Sequence, residues 1–155
     1  MDASTSCWNH DVGKLLLRVT IGGLLLLHGV HKIMHSEDLT GIKQAVTKQN
    51  LPEAMAYGVY VGEVFGAALV LIGFFTRVAA AIVAINMGVA IWLAHIPILW
   101  TLNDGGGWAV ELQAMYLLGA VCIIFLGAGA FSVDGMLSGR GQIDDTPPPP
   151  PPTKK

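Results

Sequence analysis

Charged residues are scarce in this sequence of 155 residues. Only 13% of them are Asp, Glu, Lys or Arg, whereas 53% are hydrophobic and the mean hydropathy is +0.57. Soluble domains carry about 25% charged residues, so this chain has too few to cover a surface that faces water. The net charge of −2 and the lack of a clustered basic face give no sign of nucleic-acid binding. The composition therefore predicts a protein that lies in a lipid bilayer.

Cysteine is nearly absent as well. The two cysteines, Cys7 and Cys122, are far apart and form no CxxC pair, so the sequence predicts neither a disulfide framework nor a dithiol relay. It contains no flavin, haem or iron–sulfur motif. Any electrons that the protein handles must therefore come from a partner protein or a small reductant.

Four apolar runs dominate the sequence, each close to the roughly 20 residues that span a bilayer. A soluble four-helix bundle would need a polar face on every helix, but the third run offers only Asn86 and His95. We therefore expect an all-α fold, a bundle of four transmembrane helices. The runs are Leu15 to Met34, Ala54 to Phe75, Val78 to Ile96 and Trp108 to Phe131.

The segments around these runs are polar. Between the first two runs, Ile42, Ala45, Val46 and Gln49 follow helical spacing, which predicts a short amphipathic helix on the membrane surface. We divide the chain into a polar N-terminus (1–13), a transmembrane domain (14–137) and a disordered proline-rich C-terminal tail (138–155). The six consecutive prolines of the tail favour a solvated polyproline II segment, with binding to a proline-recognising partner as the alternative.

The distribution of lysine and arginine predicts the orientation. With four spans, both termini and the turn after the second run share one side of the membrane, which collects six basic residues against three on the other side. The positive-inside rule then favours termini in the cytoplasm. We expect the protein in the inner membrane of a bacterial cell. The six are Lys14, Arg18, Arg77, Arg140, Lys154 and Lys155, and the three are Lys32, Lys43 and Lys48.

A titratable stripe ends the first run. His28, His31 and His35 share one face of a helix with Lys32, because residues three, four and seven apart align. His31 and His35 have the i,i+4 spacing of a metal-binding pair, but no Cys or HExxH signature accompanies them, and we predict no metal site. His31 remains a candidate for substrate binding.

Glu63 interrupts the second run roughly 9–13 Å below the point where that run enters the membrane, at 1.5 Å per residue. A lone carboxylate at this depth costs about 2.5–3.5 kcal/mol, so such residues usually face the bundle interior and have a partner. The topology puts His28 and Lys32 in the same half of the bundle, the outer half. We predict that Glu63, His28 and Lys32 form a proton-handling pocket with catalytic roles; the alternative is a hydrogen bond that only holds helices together.

The third and fourth runs contribute His95 and Glu111 to the outer half, and we expect both to bind substrate. Glu111 is predicted roughly 5 Å below Trp108. Asn86 precedes His95 by nine residues, so on a regular helix the two point in nearly opposite directions. We therefore expect that Asn86 and His95 do not line the same pocket.

The second run also carries a GxxxGxxxG motif. Small residues at this spacing let another helix approach closely. The motif is compatible with dimerisation too, but it favours close packing inside the bundle. Its glycines are Gly58, Gly62 and Gly66.

Several short pieces follow one another in a characteristic order and spacing. They are Leu16-Leu17-Arg18, His28-Gly29-Val30-His31-Lys32, Gly62-Glu63, Leu71 to Arg77, Glu111 to Tyr116 and Gly127 to Asp134. Together they resemble the DoxX family of small four-helix membrane proteins over nearly all of Lys14 to Leu137. The resemblance implies membrane subunits of quinone-linked oxidoreductases and of complexes in thiol and oxidative-stress defence. It implies that Glu63, His28 and Lys32 are the quinone or proton-handling positions.

We therefore expect a quinone-interacting component of a membrane oxidoreductase system that is linked to thiol, oxidative-stress or sulfur chemistry. Quinone is the expected cofactor, a soluble or peripheral redox protein is the expected partner, and a homo-oligomer is compatible with the sequence. A non-catalytic scaffold or assembly factor is the alternative. A small proton-coupled transporter is a third hypothesis, for which four short helices leave little room.

Overall fold

The computed structural model describes residues 3–139, and in this range the chain is all-helical, as expected. A single bridge between Leu102 and Trp108 is the only β pairing in the described residues. The tail from residue 140 onward, with the proline segment predicted there, lies outside them. The helices are α1 (Ala3–Met34), α2 (Ser36–Lys48), α3 (Glu53–Ile72), α4 (Thr76–Ile98), α5 (Glu111–Leu126) and α6 (Val133–Leu137).

Within residues 3–139, three helices are long and apolar enough to cross a bilayer: α1 over Trp8–Met34, α3 and α4. Helix α5 is equally apolar, but its 16 residues rise only about 24 Å. That is shorter than a hydrocarbon core of about 30 Å, so the fourth span stays a prediction.

The boundaries of two helices, α1 and α5, differ from those expected. Helix α1 begins at Ala3, inside the segment predicted as a polar N-terminus. Helix α5 begins at Glu111 rather than Trp108, because Trp108 belongs to the preceding loop, where it pairs with Leu102 and donates its indole N–H to the Leu99 carbonyl at 2.6 Å. It ends before Gly127, whose φ of +74° leaves the helical region.

The amphipathic helix predicted between the first two spans is present as α2. Its buried residues Leu39 and Val46 form a small apolar cluster with Ala56 of α3, and Leu93 of α4 packs against that cluster. Helix α2 therefore lies across the ends of α3 and α4 and closes that side of the bundle.

Glycines set the distance between the long helices. A Cβ on Gly22 would lie 2.9 Å from the Ala67 carbonyl oxygen, and one on Gly29 would lie 2.7 Å from that of Glu63. Both are too close for any other residue, so α1 and α3 touch backbone to backbone. In the predicted GxxxGxxxG motif, Gly62 and Gly66 face α4, whereas nothing lies within 4 Å of a Cβ at Gly58.

One end of the bundle is held together by Arg18, and we call it the Arg18 end. This side chain is only 2% exposed and binds four backbone carbonyls. It donates to Val70 at 3.1 Å, Leu71 at 3.2 Å, Phe131 at 3.0 Å and Ala128. Because these carbonyls lie at the end of α3 and in the loop after α5, one cation ties three parts of the chain.

Asp134 completes the Arg18 end by capping α4 from a distant part of the chain. Its carboxylate accepts hydrogen bonds from the backbone N–H of Phe75 at 2.9 Å and of Thr76 at 2.8 Å, and from the Thr76 hydroxyl at 2.7 Å. Burial raises the pKa of Asp134, but the bonds from Thr76 and Phe75 and the charge of Arg18 outweigh it, so the pKa lies below its usual 3.8.

Candidate functional site

A buried ion pair joins α1 and α3 at the opposite end of the bundle, which we call the Lys32 end and which also includes α2 and the loop between α4 and α5. The Lys32 ammonium nitrogen lies 2.6 Å from Glu63 Oε1. The side chain of Glu63 is 5% exposed and that of Lys32 is 25% exposed. The pair forms because Gly29, which has no side chain, lets the two helices meet at the level of Glu63.

The second oxygen of this carboxylate is unusual. Glu63 Oε2 is buried and accepts no hydrogen bond from the described residues. A buried acceptor without a donor costs about 1–3 kcal/mol, and more when it is charged. Of the two carboxylate oxygens of Glu63, only the one that faces Lys32 is therefore hydrogen-bonded within the described residues.

A cavity of about 570 Å³ lies beside the pair, within the range typical of small-molecule sites. Apolar side chains from α1 to α5 form most of its wall, including Leu25, Val46 and Met87. A few polar side chains converge on it: His28, Lys32, Glu63, Asn86, His95, Gln113 and Tyr116.

His28 contributes a titratable ring on the α1 side of the cavity. Its Nδ1 lies 3.0 Å from the Leu24 carbonyl oxygen, so this nitrogen donates and Nε2 is left to accept. The ring packs edge-to-face against Tyr116 with centroids 5.8 Å apart, and the Tyr116 hydroxyl oxygen lies 3.5 Å from Nδ1. No residue in the described part of the chain forms a hydrogen bond with Nε2 of His28.

His95 is held more firmly. Its Nδ1 lies 3.0 Å from the Ala90 carbonyl, and its Nε2 lies 3.1 Å from the side-chain nitrogen of Gln113. Since a carbonyl only accepts and an amide nitrogen only donates, this geometry fits a neutral ring with hydrogen on Nδ1. His95 thus orients the amide of Gln113 on the cavity wall.

The expectation that Asn86 and His95 do not share a pocket is wrong, because both line this cavity. Helix α4 is not regular between them: Ile91–His95 forms a π turn. A π turn holds one more residue than an α turn, and one extra residue rotates the following side chains by about 100°. Glu63 also lies in a π turn, Val61–Gly66 of α3.

Two predicted site residues lie away from the cavity. Glu111 is exposed at the first residue of α5, with its carboxylate beside Gly107 of the loop. His31 is exposed and its ring stacks on that of His35 with centroids 4.1 Å apart. Within residues 3–139, no three His, Cys, Asp or Glu side chains come close enough to hold a metal ion.

The match to known families agrees with this architecture. The family model described as DoxX matches residues 13–96, which is more than half of the chain. The chain belongs to the DoxX family. The DoxX match includes Lys32, Glu63 and His95 and ends before Gln113 and Tyr116, so α5 adds polar groups from outside the matched region.

Two curated relatives extend the comparison. A Haemophilus influenzae protein described as "Uncharacterized protein" is 31% identical over 123 residues, which cover 76% of this chain and 85% of the relative. The Bacillus subtilis protein "Putative oxidoreductase CatD" is 35% identical over 77 residues, 50% of this DoxX chain and 55% of CatD. No solved structure matches. Family and helices together make this DoxX chain a membrane protein.

Sequence reasoning missed three polar groups of the DoxX cavity: Asn86, Gln113 and Tyr116. One signal was available, because Gln113 and Tyr116 are three residues apart and therefore share a face of the otherwise apolar α5. For Asn86 the pattern was misleading, since its position relative to His95 depends on the π turn.

Proposed function

We propose that this DoxX protein is a quinone-interacting component of a membrane oxidoreductase system. The observation that carries the proposal is the buried Lys32–Glu63 pair on the wall of a largely apolar cavity of about 570 Å³. Burial of such a pair in a membrane costs free energy, and ionisable residues that lie there usually serve a function. The relative named "Putative oxidoreductase CatD" supports the same class of chemistry, with a match that covers 50% of this chain.

The residues on the wall fit a quinone head group. A quinone ring is apolar apart from its carbonyl oxygens, which accept hydrogen bonds. Asn86 Nδ2 is a buried donor that has no acceptor among the described residues, and the Lys32 ammonium has three donors, of which Glu63 takes one. The cavity therefore offers unused donors in an apolar surrounding.

Reduction of a quinone to a quinol takes two electrons and two protons. Two thiols that become a disulfide supply both, as does a peripheral redox protein together with protons from water. The sequence has no flavin, haem or iron–sulfur motif of its own. We assign proton handling to Glu63 and His28, because both residues line the cavity and each has an atom that no described residue satisfies. General acid–base groups need such a free atom.

The binding test uses the full chain in mild detergent. We expect the purified protein to carry co-extracted quinone or to bind added quinone, and Lys32→Met to reduce this binding at least about tenfold, which is the loss expected for one charged hydrogen bond to a quinone carbonyl. Lys48→Met is the matched control, since Lys48 is exposed at the end of α2. If wild type binds no quinone and Lys32→Met only lowers the unfolding temperature, the scaffold alternative replaces the proposal.

We further propose that the protein lies in a bacterial inner membrane with its termini in the cytoplasm, so that the cavity is in the outer half of the bundle. The bias of basic residues supports this orientation. In a Cys122→Ser background, Cys7 is then shielded from a membrane-impermeant thiol reagent in intact cells and reacts after lysis. Labelling of Cys7 in intact cells would reverse the orientation.

A further inference from the structure

Two buried polar atoms of the cavity lack a protein partner, and they are of opposite kinds. Glu63 Oε2 lacks a donor and Asn86 Nδ2 lacks an acceptor, among the residues that the structure describes. Other buried polar groups of the bundle, such as Arg18 and Thr76, are hydrogen-bonded, as buried groups normally are. The two exceptions therefore mark what a ligand has to supply.

Both atoms lie against the same part of α3. A Cβ on Gly62 would lie 2.6 Å from Asn86 Nδ2, so the Asn86 amide packs directly on the residue before Glu63. The π turn of α3 contains both Gly62 and Glu63. One ligand that reaches this turn can meet both atoms.

The chemistry of the two atoms selects among ligands. In the ion pair with Lys32, the Glu63 carboxylate only accepts hydrogen bonds, so Oε2 needs an O–H or N–H from the ligand. A quinone has acceptors only and leaves Oε2 unsatisfied. A quinol or another phenol carries a hydroxyl group that both donates and accepts, and such a group also satisfies the Asn86 amide in either orientation.

We propose that this cavity binds the reduced, hydroxyl-bearing form of its ligand in preference to the quinone. The inference rests on the proposed function and adds to it the direction of selectivity. A ligand that binds more tightly when reduced has a raised reduction potential in the site. A tenfold preference for the quinol raises the two-electron potential by about 30 mV.

The test compares three probes that share one ring system: 1-naphthol, 1-methoxynaphthalene and 1,4-naphthoquinone. The methyl ether keeps the oxygen of the naphthol but has no donor. We expect the full-length wild-type protein in detergent to bind 1-naphthol about tenfold more tightly than either of the other two, as one charged hydrogen bond predicts. Protein-free micelles correct each titration for partition into detergent.

The Glu63→Gln variant tests whether the preference for 1-naphthol depends on the Glu63 carboxylate. In Glu63→Gln, Lys32 still donates to the side-chain oxygen, so the amide nitrogen takes the place of Oε2 and turns an acceptor into a donor. We expect the ratio of naphthol to methyl ether to fall to about one and the affinity for the quinone to rise relative to naphthol. Glu53→Gln keeps the wild-type ratio, because its side chain is exposed and does not line the cavity.

The outcomes separate this inference from the proposed function. Equal binding of naphthol and its methyl ether to wild type, or tighter binding of the quinone, overturns the inference and leaves the quinone proposal standing. If none of the three probes binds beyond the micelle correction, water alone satisfies the polar atoms of the cavity, and both proposals fail. A ratio that is unchanged in Glu63→Gln overturns the role of its carboxylate.

Discussion

Each end of the bundle contains a basic side chain of α1, and the two side chains differ in how they are hydrogen-bonded. Arg18 and Lys32 lie on one helix, 14 residues apart in sequence, which is about 21 Å and nearly four full turns, so both face α3. Arg18 donates four hydrogen bonds to backbone carbonyls. Lys32 binds one carboxylate oxygen and leaves the other unsatisfied.

This difference separates a structural lock from a site. At the Arg18 end the polar groups satisfy one another, and burial of charge there joins α3, α4 and the chain after α5. At the Lys32 end the helices approach equally closely, but they enclose a cavity and unpaired atoms. A fully satisfied buried network specifies the fold, whereas a partly satisfied one is costly unless a ligand completes it.

The largest expected effect is at the Arg18 end. Arg18→Leu leaves the carbonyls of Val70, Leu71 and Phe131 buried without their donor, and we expect a loss of about 3–5 kcal/mol of unfolding free energy. Unfolding in detergent, followed by circular dichroism, measures it. Arg77→Leu is the control, since Arg77 is exposed and surface changes stay within about 0.5 kcal/mol. Equal losses in both variants would remove the special role of Arg18.

At the Lys32 end, the close contact between the backbones of α1 and α3 at Gly29 gives the second largest expected effect. In Gly29→Ala the new Cβ would lie 2.7 Å from both the Glu63 carbonyl oxygen and a Val64 methyl group. Overpacking of this kind costs about 1–3 kcal/mol. In Gly23→Ala the Cβ meets nothing within 4 Å, and alanine's higher helix propensity stabilises the helix by up to about 1 kcal/mol. Equal effects of the two changes would contradict the contact between α1 and α3.

The remote cap of α4 gives a smaller effect that depends on pH. Asp134→Asn weakens the cap, and we expect a loss of about 1–2 kcal/mol at neutral pH. The pKa of Asp134 is lower in the folded state than its usual 3.8, so its contribution is complete above that value and is lost as pH falls through the lower, folded pKa. The stability difference between wild type and variant is therefore constant above about pH 5 and shrinks in acid. A difference that grows in acid would contradict this assignment.

The smallest change in stability is expected for the Lys32–Glu63 pair itself. Glutamine at position 63 keeps a hydrogen bond to Lys32, and the 25% exposure of the Lys32 side chain lets water share its charge. Because glutamine keeps that hydrogen bond, a double-mutant cycle of Glu63→Gln and Lys32→Met measures only the charge part of the interaction. We expect a coupling of about 1 kcal/mol, at the low end of the range for residues in contact. A coupling as large as the loss in Arg18→Leu would make this pair a second lock and favour the scaffold alternative.

The sequence predicts the helices well because apolar length is a strong signal, and the depth of Glu63 correctly put it in reach of Lys32. The rest depends on local irregularity. No residue pattern announces the π turn of Ile91–His95, which alone brings His95 round to the side of Asn86. The sequence indicates for Arg18 only a basic residue near the membrane surface, since hydropathy does not reveal that the carbonyls of Val70 and Ala128 converge on it. Glu111 was misplaced because the loop pairing of Trp108 delays the start of α5.

The cap on α4 also sets an order of events during synthesis. Phe75 and Thr76 emerge from the ribosome about sixty residues before Asp134, which supplies their hydrogen-bond acceptor. Until then the first turn of α4 has exposed N–H groups, and Arg18 lacks the Ala128 and Phe131 carbonyls that it binds in the finished protein. The Arg18 end therefore closes only after Asp134 has been made, and a chain that stops before this residue lacks the acceptor of the α4 cap.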